Sequence, residues 1–230
     1  MAGLLTSFFA FVALHSIPAV PSIKERIISW IGRLAYFLTY SAVSTAVLAW
    51  LFYEALNTEY VEMWAPAAWQ IETAFVLAPL GLFLVITGLI SANPFSVTLR
   101  HGASDQGAIV NITRHPVLLG FFFWAVGHML ANGDLRSLIL FGGFAVFSLS
   151  GIAMAERRAK KRLKSQWSAI SRGTTVFPFY GIVTGQRRFR LDRSIFVGLV
   201  AAAVISLWLL LGGHGAVIGV DPITSLQALR

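Results

Sequence analysis

Five histidines, His15, His101, His115, His128 and His214, are distributed over a 230-residue chain that has no cysteine. Imidazole can ligate a metal, move a proton near neutral pH or simply hydrogen-bond. The surroundings of each ring therefore select the chemistry. His101 lies in the polar, glycine-rich "LRHGASDQG", where water satisfies it. His214 sits between Gly213 and Gly215 at the end of an apolar run, as a cap or interfacial group. His15 and His128 are different, because each stands inside an apolar helical stretch. A neutral imidazole there is costly without a partner, and ionisable groups at membrane depth are usually functional.

The stretch "ITRHPVLLGFFFWAVGHML" (112–130) holds two of these rings, His115 at its start and His128 near its end. Without cysteine, zinc–thiolate and iron–sulfur centres are excluded. With no acid at that depth, simple zinc or iron–oxygen centres lack their usual carboxylates. Haem needs only one or two axial imidazoles and an apolar slot. Trp124 stands one helical turn before His128, with Phe121 on the same face. Gly120 and Gly127 allow a second helix, or a flat macrocycle, to come close. Phe8, Phe11 and Val12 share the surface around His15. Arg100, Arg114, Lys24 and Arg33 crowd one side, where propionates would need basic partners.

Helix geometry limits the pairings. His115 and His128 are roughly 20 Å apart along one helix and about 140° apart around it, so they cannot share one iron. By depth alone, His15 is closer in level to His115. The second ligand therefore stays open between His115 and His128 on this reading.

The elements that must hold these rings are apolar helices. The chain is 57% hydrophobic and 12% charged, with mean hydropathy +0.73. A soluble domain carries about 25% charged residues. An all-α, polytopic integral membrane bundle of about six helices follows, as a single unit over 1–230. Its spans are expected near 4–17, 34–56, 68–90, 116–131, 138–154 and 195–213. With both termini outside, sixteen of the eighteen Lys and Arg residues face the cytoplasm, as the positive-inside rule demands. This sets the orientation in a membrane, with lipid as partner, and the basic pI of 10.4 reflects cytoplasmic loops and not nucleic acid. Pro18 and Pro21 end the first helix, Pro116 opens the fourth, and "NGD" (132–134) ends it with Asp134 capping the next. "IKERIISWIGRL" (23–34) has the spacing of a surface-lying helix. "MAERRAKKRLKSQW" (154–167) reads as a basic extension of the fifth helix with affinity for anionic headgroups.

"LHSIP" closing the first helix, "ITRHP" opening the fourth and "WAVGHMLANGDLRSLILFGGF" after it resemble the NnrU family, across most of the chain. That family includes the 15-cis-zeta-carotene isomerases. The resemblance implies haem b, held through His15 and His128 as axial ligands and metal site. His115, Arg114 and Trp124 are then further cofactor contacts, and a polyene is an apolar substrate whose central cis bond rotates with no net redox change. In the isomerase branch a cysteine stands three residues before the second ligand; here that residue is Ala125. The bacterial branch of the family is associated with denitrification and nitric oxide metabolism.

Overall fold

The computed structural model describes residues 1–16, 21–100 and 106–230. Pro18 and His101 therefore lie outside the described residues. The structure is all-α. It divides into two compact units, Met1–Trp64 with Gly133–Leu140, and Ala65–Asn132 with Phe141–Arg230.

The first unit contains α1 (Ala2–Ser16), α2 (Pro21–Ile31) and α3 (Arg33–Asn57). The amphipathic stretch 23–34 is helical but breaks at Gly32, whose φ of 82° is open to glycine and strained for other residues. Leu4 on α1 and Leu51 on α3 are fully buried. The chain after α3 pairs with the turn 133–135, where the Met63 and Trp64 amides donate to the Gly133 carbonyl and the Leu135 amide to Val61. Asp134 accepts from the Ser137 amide at 3.0 Å, as its expected role as a cap requires. Arg136 reaches the carbonyls of Leu56 and Thr58.

The second unit contains α4 (Ala68–Ile90), α5 (Pro116–Asn132), α6 (Gly143–Leu163) and α7 (Arg193–Trp208). α4 packs most extensively on α5, and α7 and α6 add to that pair. Small residues seven apart make the α4–α5 seam. Ala74 faces Gly127, Gly81 faces Gly120, and Gly88 faces Pro116 and Val117. A Cβ placed on Gly81 would sit 2.5 Å from the Gly120 carbonyl, and one on Gly120 would sit 2.5 Å from the Gly81 carbonyl. The backbones thus touch, as in membrane helix pairs where dispersion replaces the hydrophobic effect. Gly120 and Gly127 admit another helix, and the face they form is filled by α4.

Four helices are long and apolar enough to cross a membrane: Arg33–Asn57, Ala68–Ile90, the continuous Leu135–Ile170 and Arg193–Ile218. Ala2–Ser16 and Pro116–Asn132 are shorter apolar helices. These six coincide with the six expected apolar segments. Pro116 stands at the first position of α5, where no amide hydrogen is needed. The basic stretch continues α6 to Leu163, as an extension of the fifth helix should.

Candidate functional site

His128 lies on α5 among rings. Its imidazole centroid is 4.7 Å from Trp124, 5.1 Å from Phe141 and 6.5 Å from His214. Its Nδ1 is 2.8 Å from the Trp124 carbonyl. Since a carbonyl only accepts, Nδ1 carries the proton and Nε2 the lone pair. Metal-bound histidines are commonly fixed in this way, through the nitrogen that does not ligate. Trp124 therefore serves the histidine twice, with its ring as a wall and its carbonyl as an anchor.

A π-helical turn and a kink bring other residues to this ring. The turn, Leu138–Gly142, contains Phe141; π turns are frequent at functional sites. The kink lies at Leu211 and Gly212, where the backbone leaves helical geometry with Gly212 at φ 115°, shortly before His214. Both segments are distant in sequence from His128, so its environment was not visible along α5. His214 is no cap. Its Nδ1 donates to the Val220 carbonyl at 2.6 Å, and its ring stands by His128.

His15, in the first unit, shows the same local arrangement. Its Nδ1 is 2.8 Å from the Phe11 carbonyl, and its ring packs 4.1 Å from Phe11 and 6.3 Å from Tyr40. Both histidines expected as haem ligands thus bond the carbonyl four residues earlier and hold the same tautomer.

A second constellation forms at the opposite end of α5. His115 is fully buried, and its Nε2 is 2.9 Å from Glu156 Oε1 on α6. Arg114 Nε donates to the same oxygen at 2.6 Å, and its guanidinium also donates to the Thr174 carbonyl. The Arg114 amide bonds Thr175, and Asn93 bonds the Arg114 carbonyl. The guanidinium stands 5.7 Å from the Trp167 ring. Arg114, read from sequence as a partner for propionates or as a plain cytoplasmic charge, is here an internal cation with a fixed carboxylate. Glu156 was hidden in "MAERRAKK", which reads as a basic run; the signal that could have found it is its place on the α6 face one turn after Ile152, also buried. Arg100 is exposed and its amide bonds Thr98 Oγ1.

Burial holds the His115 imidazole below the ordinary histidine range, against the pull of Glu156. A depressed folded pKa means that the unfolded chain takes up the proton first. His115 therefore contributes stability above about pH 6.5 that is lost as the pH falls below it. The melting temperature in detergent should drop between pH 7.5 and 5.5, and His115→Asn should flatten that drop. An unchanged slope in the variant would remove His115 from this role.

Comparison with known proteins places these residues in a context. A family model described as "NnrU protein" matches residues 3–222. The 15-cis-zeta-carotene isomerase, chloroplastic, of Zea mays is 23% identical over 197 residues, 82% of this chain and 52% of that protein. The protein of the same description from Arabidopsis thaliana is 32% identical over 82 residues, 36% of this chain and 22% of its own. The chain spans about half the length of the maize relative. No solved structure matches.

Proposed function

Because this chain belongs to the NnrU family, we propose that it is a membrane protein holding haem b through His128 and His15. The observation that carries the reading is the shared tautomer of the two rings, each with Nδ1 tied to a carbonyl of its own helix. The residues fit the group on one face of α5 only. Trp124 and Phe141 line the His128 side with flat apolar surface, whereas the glycine face is taken by α4. Haem, when bound, supplies an iron able to interact with a polyene and lower the order of its central cis bond. The chain's own residues do the rest. Trp124 orients the imidazole, the surrounding apolar side chains exclude water, and the bilayer delivers an apolar substrate laterally.

The curated relatives favour cis–trans isomerisation of a carotenoid-like polyene. The association with denitrification and nitric oxide metabolism that the resemblance implies is the alternative role of the same centre. Ala125 stands buried where the isomerase branch carries a cysteine, so ligand exchange through sulfur has no counterpart here. The purified protein should show a Soret band and a pyridine haemochrome of haem b. His128→Ala and His15→Ala should each abolish or shift that band, and His115→Ala should largely preserve it. Loss of haem with His115→Ala alone would return the assignment to the depth argument.

The orientation belongs to the same proposal: a bacterial inner membrane with both termini outside, so that the basic end of α6 faces the cytoplasm. The Arg230–Glu72 ion pair at 2.5 Å sets Arg230 beside the start of α4, so the two share whichever side α4 begins on. A C-terminal fusion to a fluorescent reporter inactive in the periplasm should stay dark. A bright fusion reverses the orientation.

A further inference from the structure

We infer that His128 and His214 form a two-imidazole site for a free divalent transition-metal ion. The inference shares His128 with the proposed function but needs no haem. It starts from the kink at Leu211 and Gly212, which turns the end of the last apolar helix so that His214 stands beside α5. The segment that follows folds back, and its Val220 carbonyl accepts the His214 Nδ1 proton. The Trp124 carbonyl does the same for His128. Each ring is thereby fixed with its lone pair on Nε2, and each has the hydrogen bond to a backbone carbonyl that metal-bound histidines usually carry.

The spacing decides between a proton and a metal. Two imidazoles sharing one proton need an N···N distance near 2.8 Å, which draws their ring centres to about 5 Å. The ring centres stand 6.5 Å apart with planes inclined by 23°. Two nitrogen–metal bonds of about 2.1 Å, plus a little over 1 Å from each nitrogen to its ring centre, span about 6.5 Å when the ligands are opposed. The observed separation suits a metal without a change in the backbone. Imidazole ligands also select the ion: zinc, copper, iron or nickel, and not magnesium or calcium. Among the described residues no cluster of three His, Cys, Asp or Glu exists. Remaining positions on the ion are thus for water or substrate.

The test uses the full chain in detergent. Chelator-treated protein is titrated with Cu²⁺, and electron paramagnetic resonance counts the coordinating nitrogens. Wild type and His15→Ala should bind one ion through two imidazole nitrogens. His128→Ala and His214→Ala should each lose one nitrogen and bind at least about tenfold more weakly. His214→Gln, which keeps a polar side chain at that position, should behave as His214→Ala does while eluting as wild type does on size exclusion. In a second arm, protein as purified is assayed for haem. If haem is present and His214→Ala changes its spin state as His128→Ala does, His214 serves the haem and not a free ion, and the inference fails. If haem is absent while copper still takes both nitrogens, the site binds a free ion, and the haem proposal fails while this inference stands. Copper binding unchanged by His214→Ala, with haem spectra that respond to His15 and not to His214, overturns the inference and leaves the proposed function intact.

Discussion

Gly81→Val should unfold or separate the α4–α5 pair, with a large fall in melting temperature and in yield from detergent. The added Cβ alone would meet the Gly120 carbonyl at 2.5 Å and the Trp124 amide at 2.9 Å. Neither is a flexible side-chain end that could rotate away. Overpacking a rigid core commonly costs about 1–3 kcal/mol, and a backbone-to-backbone clash belongs at or above the top of that range. Gly120→Val should match it, because its Cβ meets the Gly81 carbonyl at the same distance. Gly151→Ala is the control, since its nearest neighbours are the terminal carbons of Leu118. The damage should also reach the proposed site, because Trp124 and His128 stand on the helix that would be displaced. A Gly81→Val protein that melts as wild type does would show that the two backbones have room to part.

Glu156→Ala should be about as severe. One carboxylate oxygen answers both the Arg114 guanidinium and the His115 ring, and both side chains of the Arg114–Glu156 pair are only 15% exposed. Removing one member of a buried pair typically costs about 3–5 kcal/mol, because the remaining charge stays desolvated. Glu156→Gln keeps an acceptor for the ring but loses the charge opposite Arg114, and should fall between wild type and Glu156→Ala. Arg114→Gln leaves a lone carboxylate and should also destabilise. In the double variant Arg114→Gln/Glu156→Ala the loss should be smaller than the two single losses added together. Full additivity would mean that the pair has no coupling and that the 2.6 Å approach is only a contact. Arg114→Gln also tests its sequence-derived role: a folded variant with unchanged haem occupancy would separate Arg114 from the cofactor.

The distribution of apolar residues was enough to place six helical segments, to end α5 at Gly133 and to assign Asp134 as a cap. These are local matters. A proline lacks an amide hydrogen, a carboxylate reaches an amide three residues on, and about twenty apolar residues make one span. The pairing of Trp124 with His128 was legible for the same reason, since one helical turn fixes it. The same pattern found the close approach of Gly120 and Gly127 to some flat neighbour, but not whether that neighbour was a helix.

What the chain's order could not reveal depends on contacts between residues far apart in it. His214 reads along the chain as a cap or interfacial group, because nothing in the sequence announces the kink at Leu211 and Gly212. Its approach to His128 depends on Gly212 adopting a positive φ and on a fold-back that ends at Val220. Glu156 was masked by the five basic residues among the six that follow it, and its charge acquires a meaning only when α6 lies beside Arg114 and His115. Composition and periodicity thus decide which segments leave water, because that free energy is summed locally over a helix face. Which polar groups meet inside depends on how the faces interlock, and there a single glycine or a one-residue widening of a turn redirects a whole side chain.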